Sequence, residues 1–422
     1  MNAIVNTDNL LKSWPTQGKG DGYNVPYGIF TETDVYNEEQ KRIFRGPNWS
    51  FVGLEAEILK SGDFKSTFIG DTPVVVMRDE DGDVHVVVNR CAHRGAKVCR
   101  SLRGNTPNLE CVYHSWAYNL KGDLIGLPFR RGIKGNGGMP KSFDMKEHSL
   151  QKLRVETYKG LIFASFSDTV ESLPDFLGET ACESIDRIFN RPIKILGDQR
   201  QRIFGNWKLY AENTRDPYHA SLLHMFHNTF GLYRASQKGG CKLDDKFRHS
   251  ILWSSKGTSS TAEDAKIYKD NRAFNSDFTL QDPSILAGKP DFDDDITVVI
   301  LALFPNVIVQ QISNTLAVRQ IVTYGPKEFE LVWTSFGYAD DDHEMDVIRL
   351  KQSNLIGPAG LISMEDGEAV ELVHDGIIRD QDQFSYMGMG GGEPGSSDHL
   401  VTESSIIGFW EYYRDIMGQQ PA

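Results

Sequence analysis

Cys91-Ala-His93-Arg-Gly and Cys111-Val-Tyr-His114-Ser-Trp are the two stretches that decide the fold of this chain. Each stretch offers one thiolate and one imidazole, spaced C-x-H in the first and C-x-x-H in the second. Two such pairs, each on its own short loop, can enclose one metal centre from two sides. The pattern therefore predicts a metal-cluster domain in the first half of the chain.

The mixture of ligands distinguishes between the metals that such a site can hold. Two cysteines and two histidines in this order suit a [2Fe-2S] cluster of the Rieske type, in which the thiolates bind one iron and the imidazoles bind the other. Neutral imidazoles in place of two thiolates raise the reduction potential, so the cluster accepts an electron easily. A structural zinc site is the alternative. Zinc fingers, however, place two cysteines before two histidines, whereas each cysteine here is paired with a histidine.

The composition is that of a globular protein with more than one domain. The 422 residues allow two or three hydrophobic cores. The longest apolar runs, such as residues 297–304, have the length of a strand and not of a membrane-spanning helix. The net charge of −13, without any long basic run, disfavours nucleic acid and anionic membranes as partners. The first residues contain no apolar signal segment, so the cytoplasm is the expected compartment.

Residues 47–166 contain a succession of short strand patterns and predict the small all-β domain that carries the cluster. A hairpin is expected from strands at 73–78 and 84–89, which are joined by a turn that contains Asp-Gly. The first ligand loop leaves the far end of this hairpin, and another strand-and-turn pair at 117–124 follows the second loop. Rigid hairpins can therefore fix all four ligands.

The segments on either side of this domain predict helices and a second, larger domain. Residues 1–46 contain a lead-in helix at 35–44, capped by Asp34, which is expected to pack on the larger domain. Residues 167–422 predict a domain with an antiparallel sheet, so the whole chain belongs to the α+β class. Its expected strands are 194–197, 296–303, 307–312, 317–322 and 331–338, and its expected helices are 170–190, 406–414 and an interrupted pattern at 341–377. The polar segment 240–290 predicts irregular structure, with a mobile loop at 254–261.

Two histidines and a distant carboxylate indicate a second metal site in the larger domain. His219 and His224 are five residues apart, which separates them by about 140° around an ideal helix. Convergence on one metal requires a bent turn or a first ligand outside the helix. Two imidazoles and one carboxylate leave open positions on a non-haem Fe(II) for O2, so a carboxylate is expected as the third ligand. Asp366 is the preferred candidate, with Glu365 and Glu368 as rivals. Without the other motifs, two ordinary core or surface histidines would be the simpler interpretation.

Taken together, these motifs resemble the large (α) subunits of aromatic-ring-hydroxylating Rieske non-haem iron oxygenases. The resemblance rests on the two cluster loops and on Glu212-Asn213-x-x-Asp216-x-x-His219-x4-His224, and it extends over almost the whole chain. It implies that a Rieske domain delivers electrons to a mononuclear iron in a catalytic domain of the helix-grip (START-like) fold.

The resemblance also implies roles for individual residues and partners. Electrons would pass between neighbouring subunits of a trimer through Asp216, which links a cluster histidine of one subunit to an iron histidine of the next. A helix N-cap role is compatible with the same position. Asn213 and Glu212 would support the iron ligands from behind. The expected partners are a small β subunit in an α3β3 hexamer, a ferredoxin, and a reductase that supplies electrons from NAD(P)H. The implied metal ligands are Cys91, His93, Cys111 and His114 for the cluster and His219, His224 and Asp366 for the iron.

Within this family the chain resembles the members that act on aromatic acids. Arg319 could pair bidentately with a substrate carboxylate, although an outward-facing strand arginine is an equal alternative. Gln320 and His399 are further candidate substrate contacts, and for His399 a solvated loop histidine is the simpler interpretation. Strand alternation is expected to direct apolar residues into a cavity that fits an arene. These residues are Leu303, Val309 and Val318.

The number of available cations favours a substrate with one carboxylate. By resemblance, terephthalate enzymes use a second arginine after the Gly-rich loop, but residues 395–403 contain none. A second buried carboxylate without a cationic partner would be costly. Salicylate, hydroxylated at carbon 5 to gentisate, is the leading hypothesis. The alternatives are a cis-dihydroxylating dioxygenase for terephthalate or anthranilate and, in a different class, a Rieske protein that only transfers electrons.

Overall fold

The computed structural model of the chain describes Trp14 and residues 22–255, 266–272 and 274–418. The chain forms two compact units. One unit comprises residues 44–173, and the other combines residues 1–43 with residues 174–422. The first unit is thus inserted into the sequence of the second. None of the helices in the described ranges is both long and apolar enough to cross a bilayer.

The unit of residues 44–173 consists of three small antiparallel sheets. Its four-stranded sheet has the spatial order Val84–Val88, Thr72–Arg78, Asp63–Ile69 and Arg103–Asn105. Its two three-stranded sheets have the orders Arg154–Tyr158, Leu161–Ser165, Ser50–Leu54 and Leu109–Glu110, Ala117–Tyr118, Leu124–Gly126. Short 3-10 turns at Glu55–Glu57 and Met145–His148 complete the unit. The strands Thr72–Arg78 and Val84–Val88 form the hairpin expected from the sequence.

The hydrophobic core of this unit contains both cluster cysteines. Cys91 and Cys111 are buried among apolar side chains of the strands, which include Val75 and Met77. The tips of the two ligand loops, by contrast, are open to solvent. The cysteines are therefore anchored in the core, and the loops carry the remaining ligands outward.

The larger unit is built on a seven-stranded antiparallel sheet. The spatial order of its strands is Ile193–Ile203, Glu328–Tyr338, Thr315–Gly325, Val307–Ile312, Ile296–Leu303, Ser250–Ser255 and Gly239–Leu243. A separate two-stranded ribbon joins Tyr23–Pro26 to Phe384–Met387. Nearly all residues of the three strands between 296 and 325 are buried, so this part of the sheet has both faces covered.

Helices complete the larger unit, and three of them supply the second metal site. The described helices are Gly28–Thr31, Thr33–Glu39, Leu173–Ile188, Trp207–Asn213, Ala220–Leu223, Met225–Thr229, His343–Ile356, Leu361–Ile377 and Ser404–Gly418, with a π-helical turn at Gln40–Phe44 and a 3-10 turn at Pro283–Leu286. The interrupted pattern at 341–377 is resolved into two helices that are separated near Gly357-Pro358. We call Leu361–Ile377 the ligand helix.

A fully buried carboxylate ties the N-terminal segment to the rest of the larger unit. Glu39 accepts hydrogen bonds from the indole of Trp207 at 2.8 Å, the ammonium of Lys208 at 2.6 Å and the hydroxyl of Tyr413 at 2.6 Å. Its side chain and that of Lys208 have no exposed surface. A buried pair of this kind is strongly destabilised when one partner is lost, because the other charge then remains without compensation.

Several local expectations differ from the structure. Glu32, and not Asp34, occupies the N-cap position of the lead-in helix, and Asp34 lies in the first turn, where a carboxylate favours the helix dipole. The segment 240–290 is less irregular than expected, because it contains most of the edge strand Gly239–Leu243 and the whole of its neighbour Ser250–Ser255, which the polar composition obscured. The expected mobile loop at 254–261 begins inside that strand, and the remainder of it lies outside the described residues.

Candidate metal centres and active site

The two cluster loops have the same backbone hydrogen-bonding pattern. The amide of Cys91 donates to the carbonyl of Ala96 at 2.8 Å, and the amide of Cys111 donates to the carbonyl of Trp116 at 2.9 Å. Four residues after each cysteine, Gly95 and Ser115 adopt positive φ values of 78° and 50° and donate their amides back to the cysteine carbonyls. Each loop is therefore a closed turn that contains its histidine between the cysteine and the residue with positive φ.

The ligand side chains of the two loops converge on one another. The imidazole rings of His93 and His114 lie 4.6 Å apart, and His93 stacks on the indole of Trp116 at 4.8 Å. The hydroxyl of Tyr118 lies 3.2 Å from the sulfur of Cys91. Burial raises the pKa of the Cys111 thiol, which a bound cation would reverse.

The burial of these four ligands matches the two-iron arrangement. Cys91 and Cys111 are buried, whereas His93 and His114 are only half-buried. Two thiolates on the inner side and two imidazoles on the outer side are the donor set of a Rieske cluster. The residues present therefore fit a [2Fe-2S] cluster with its histidine-bound iron towards the surface of this unit.

The second site brings two imidazoles and one carboxylate together. The Nε2 atoms of His219 and His224 lie 3.4 and 3.2 Å from Oδ1 of Asp366. All three ligand atoms lie within 4.8 Å of one another. This separation fits one metal ion, and the set of two histidines and one carboxylate is that of a non-haem Fe(II) site with open positions.

A break in the helix explains how two histidines five residues apart can converge. His219 precedes the helix Ala220–Leu223, and His224 has extended backbone between that helix and the next one, Met225–Thr229. The ligands therefore lie on either side of a single helical turn. The requirement for a bent turn or a ligand outside the helix is confirmed.

Two further carboxylates orient the imidazoles from behind. Oε2 of Glu365 lies 2.7 Å from Nδ1 of His224, and Oδ2 of Asp216 lies 3.3 Å from Nδ1 of His219. A carboxylate at Nδ1 favours the tautomer whose Nε2 lone pair can bind a metal. Oδ1 of Asp216 also accepts the amide hydrogens of Tyr218 and His219 in the turn before the helix Ala220–Leu223, whose N-cap is His219 and not Asp216. Of the rival third ligands, Glu365 thus contacts His224 and Glu368 is exposed.

The charges of this site stabilise one another. Burial acts to raise the pKa of Asp366, but His224 and His219 hold it well below its usual range. Burial acts to lower the pKa of His219, but the carboxylates of Asp216 and Asp366 outweigh this effect and raise it to about 10. The arrangement thus presents ionised carboxylate to the space between the ligands, as a cation requires.

Asn213 and Glu212 have different surroundings. The side-chain amide of Asn213 borders the metal group and donates to Oδ1 of Asp366 at 3.0 Å. Glu212 points instead towards the terminal helix, where it accepts a hydrogen bond from the indole of Trp410 at 2.6 Å. Burial raises the pKa of Glu212 to about 8. Only Asn213 therefore contacts a metal ligand directly.

One face of the sheet forms a wall of the cavity beside the metal group. Leu252 pairs with Ile300, and Val298 pairs with Ile312, so these four apolar residues share a face and all line the cavity. Arg319 belongs to the same face and also lines the cavity. The prediction of an apolar wall that carries one arginine is therefore consistent with this geometry.

The residues named from the sequence for that wall are wrong by one position. Val309 pairs with Val318, and both lie on the opposite face of the sheet, as does Leu303. Gln320 follows Arg319 directly, so it also faces away from the cavity. In a fully buried sheet both faces are apolar, so composition alone does not show which face borders a site. His399 is exposed and does not line the cavity.

The sequence interpretation missed one cavity residue, His227. It is buried, with 5% exposure, and it lines the cavity beside His224, whose ring centre is 5.4 Å away. Burial and the neighbouring His224 lower its pKa to about 3, so the ring is neutral at physiological pH. Helical spacing in the sequence did not indicate it, because His224 lies outside the helix Met225–Thr229 that carries His227.

Comparison with known proteins places the whole chain in one family. Residues 48–143 match the Rieske [2Fe-2S] domain, and residues 193–419 match the catalytic domain of ring-hydroxylating alpha subunits. The large subunit of anthranilate 1,2-dioxygenase from Burkholderia cepacia is 52% identical over 399 residues, which are 94% of each chain. The chain belongs to the large subunits of the Rieske ring-hydroxylating oxygenases. This oxygenase therefore carries a Rieske [2Fe-2S] cluster and a mononuclear iron centre, and the zinc and electron-carrier alternatives are set aside.

Other relatives of the oxygenase differ in the reactions that their names describe. A terephthalate 1,2-dioxygenase alpha subunit from Comamonas is 48% identical over 94% of this chain and 96% of its own length. The large component of salicylate 5-hydroxylase from Ralstonia is 45% identical over 96% of each chain. Naphthalene 1,2-dioxygenase from Rhodococcus shares the fold, with a TM-score of 0.82 over 98% of this chain and 99% of its own, at 22% identity. The family is multicomponent, with ferredoxin and reductase partners that deliver the electrons.

Proposed function

We propose that this oxygenase hydroxylates an aromatic monocarboxylic acid, with the 5-hydroxylation of salicylate to gentisate as its leading reaction. Arg319 is the observation that carries the proposal. It is a buried cation, with 4% exposure, in the wall of the cavity that also contains His219, His224 and Asp366. A substrate carboxylate is the ligand that such a position suits best.

The charge of Arg319 is not balanced within the described residues. No carboxylate among them lies within ion-pair distance, and the guanidinium instead contacts the phenol of Tyr210, the amide of Gln310 and the face of Trp333. These neutral partners hold its orientation without neutralising it. Because a buried charge is stable only when it is paired or well hydrogen-bonded, an incoming anion gains more here than at the surface.

Unused hydrogen-bond donors of Arg319 fit the same ligand. Guanidinium has five N–H donors. Nε and Nη2 each donate to the side-chain oxygen of Gln310, and Nη1 donates to the hydroxyl of Tyr210. One N–H therefore remains on each terminal nitrogen, which is the number that a bidentate carboxylate accepts.

The remainder of the cavity favours an arene with a single carboxylate. The wall around Arg319 is formed by Leu252, Val298, Ile300 and Ile312, which suit an aromatic ring. Arg319 is the only arginine or lysine among the described residues of the lining. This supports a monocarboxylate over terephthalate, since a second buried carboxylate would lack a cation.

The two metal centres supply the redox chemistry when bound. The cluster would deliver electrons singly to the iron, which allows O2 to react with a closed-shell arene. Around that centre, this chain contributes the orientation of the imidazoles through Glu365 and Asp216, the contact of Asn213 with Asp366, and the positioning of the substrate through Arg319.

Anthranilate dihydroxylation is a second candidate function. The higher identity to an anthranilate 1,2-dioxygenase, 52% against 45% for the salicylate hydroxylase, supports it. Anthranilate and salicylate are both monocarboxylates, so Arg319 suits either. By family, we further propose a small β subunit in an α3β3 assembly and a cytoplasmic location.

The test is a product analysis of the complete system. The chain is combined with a small subunit, a ferredoxin and a reductase, and is supplied in turn with salicylate, anthranilate and terephthalate under 18O2. Gentisate with one labelled oxygen, formed from salicylate alone, is the expected result. A cis-diol or catechol from anthranilate would support the second candidate, and turnover of terephthalate would contradict the argument from a single arginine.

A variant of Arg319 tests the anchor itself. We expect Arg319→Gln to lower kcat/KM for the accepted acid about 100-fold or more, mainly through KM, because two charge-assisted hydrogen bonds are lost. Arg200→Gln is the matched control, since Arg200 lies on the same sheet but pairs with Glu330 near the surface. Equal effects of the two substitutions would contradict the role of Arg319.

A further inference from the structure

Most polar groups of the cavity have partners within the chain. Tyr233 donates its hydroxyl to the carbonyl of Pro217, and Thr214 donates to the carbonyl of Ala211. Asn213 and the metal ligands contact one another. Among the described residues of the lining, the buried nitrogens without a hydrogen-bond partner are both ring nitrogens of His227 and Nδ1 of His219, which faces the carboxylate of Asp216 at 3.3 Å. The guanidinium of Arg319 keeps two further N–H groups for a ligand.

His227 has both ring nitrogens unsatisfied although it is buried. Neither Nδ1 nor Nε2 has a hydrogen-bond partner among the described residues. The ring centres of His224 and Tyr233 lie 5.4 Å and 6.5 Å from that of His227, and neither ring forms a hydrogen bond with its nitrogens. Buried polar atoms nearly always have a partner in folded proteins, so such a ring next to a substrate cavity indicates a ligand.

We infer that His227 binds a hydroxyl or amino substituent of the aromatic acid and thereby determines which acids are accepted. The inference rests on the proposed function and deepens it, because Arg319 would hold the carboxylate and His227 a second polar group of the same ring. His227 is thus a specificity-determining residue of the iron site. It is not one of the metal ligands, since the group of three converging ligand atoms does not include it.

The chemistry of a neutral imidazole selects the kind of substituent. One ring nitrogen donates a hydrogen bond and the other accepts one. A phenolic hydroxyl or an aromatic amine can likewise donate or accept, so either can satisfy His227. Benzoate has no such group. The second carboxylate of terephthalate can only accept, and it would bring an uncompensated charge against a neutral ring.

The experiment measures binding of three ligands to the iron-loaded holoenzyme without electron donors. Salicylate and benzoate differ only in the hydroxyl, and salicylate and phenol differ only in the carboxylate. Isothermal titration gives the dissociation constants for the wild type, for His227→Phe and for His227→Gln. We expect the wild type to bind salicylate about tenfold more tightly than benzoate, as one good hydrogen bond provides.

The His227 variants should change only the ratio of the dissociation constants for benzoate and salicylate, which measures the contribution of the hydroxyl. In His227→Phe the ratio between salicylate and benzoate should fall to about one, with the benzoate constant changed less than about threefold. In His227→Gln, which keeps a donor and an acceptor, part of the ratio should return. His374→Phe is the matched control. His374 is equally buried and has both ring nitrogens without a hydrogen-bond partner, but it does not line the cavity. Its replacement should leave the ratio unchanged.

Three outcomes would overturn the inference. They are an equal affinity of the wild type for salicylate and benzoate, an equal weakening of both acids in His227→Phe, and a loss of mononuclear iron in His227→Gln. If His227→Phe does not accumulate, the wild-type ratio and His227→Gln still decide. Failure of the proposed function gives a different result. If Arg319 does not hold the carboxylate, the wild type should bind phenol as tightly as salicylate. The ratio of its affinities for salicylate and benzoate would still report on His227.

Discussion

At the scale of single residues, three neighbouring carboxylates of the ligand helix have three different surroundings. Asp366 converges with the two histidines, Glu365 contacts the far nitrogen of His224, and Glu368 is exposed. Each step along a helix rotates the side chain by about 100°, so neighbours cannot share a site. The sequence alone left all three open as the third ligand. The rotation of the helix, which depends on its packing, separates them.

Removal of the carboxylate behind His224 should weaken the iron site. We expect Glu365→Gln to raise the dissociation constant for the mononuclear iron about 10- to 100-fold, because the imidazole loses the partner that fixes its tautomer. Iron stoichiometry after dialysis against a chelator measures the effect, and the visible absorbance of the Rieske cluster should not change.

Glu368→Gln is the matched control for that measurement. It makes the same substitution on the same helix, at an exposed position, and should bind iron as the wild type does. If both variants lost iron equally, a general weakening of the helix would explain the result and the orienting role of Glu365 would be excluded.

At the scale of elements, the start of the ligand helix depends on one close approach. Gly360 is the N-cap residue of this helix, and a Cβ atom placed on it would overlap the backbone carbonyl groups of Asn354 and Leu355 at the end of the preceding helix. A glycine therefore allows the chain to reverse within the few residues after Ile356. Asp366 lies less than two turns further along, so its position follows from this junction.

A pair of glycine substitutions tests the junction. Gly360→Ala should destabilise the larger unit by about 2–3 kcal/mol, since backbone atoms must move, and should reduce its iron content. Gly376→Ala, on the same helix with open space around the new methyl group, should stabilise it by about 0.5 kcal/mol. Thermal unfolding and iron analysis of the two proteins provide the comparison. An unchanged melting temperature in Gly360→Ala would show that the junction is not tight.

Sequence patterns were sufficient to predict the bounds of some strands but not which of their faces borders the cavity. The strands Ile296–Leu303 and Val307–Ile312 have the predicted bounds, because continuous β-branched and apolar runs between turn residues define them. The faces of these strands were not predictable in the same way. With apolar residues on both sides, nothing in the alternation distinguished Val309 and Val318 from the row that contains Arg319. The break at His224 depends on tertiary contacts, and His227 became visible only through it.

At the scale of the whole molecule, Asp216 is the residue that we propose to connect neighbouring subunits. Within one chain its carboxylate accepts two amides of the turn before the helix Ala220–Leu223 and lies against Nδ1 of His219. The family resemblance adds a partner histidine of the cluster in the next subunit. The motifs were sufficient to predict the two domains and their metals, because ligand spacing is local. An assembly, by contrast, depends on surfaces that no spacing within one chain describes.

Replacement of this carboxylate by an amide should affect turnover more than metal binding. We expect Asp216→Asn to retain both metals, because its contact with His219 at 3.3 Å is longer than the 2.7 Å contact of Glu365 with His224. The steady-state rate should fall about 10- to 100-fold, since the proposed link between the centres is weakened. Oxygen uptake, together with metal analysis, measures this. Asp282→Asn, which likewise changes a carboxylate that accepts the amide two residues ahead, is the control and should turn over normally. A near-normal rate in Asp216→Asn would exclude the linking role.

The buried hydrogen bonds of Glu39 impose an order on the assembly of this chain during synthesis. Its partners are Trp207 and Lys208, which follow the inserted cluster unit, and Tyr413 on the helix Ser404–Gly418. Residues 44–173 can complete their own contacts as soon as they leave the ribosome. The carboxylate of Glu39 must wait for Trp207 and Lys208, and its last hydrogen bond forms only after the helix Ser404–Gly418 has been made. Loss of that helix would therefore also destabilise the segment around Glu39.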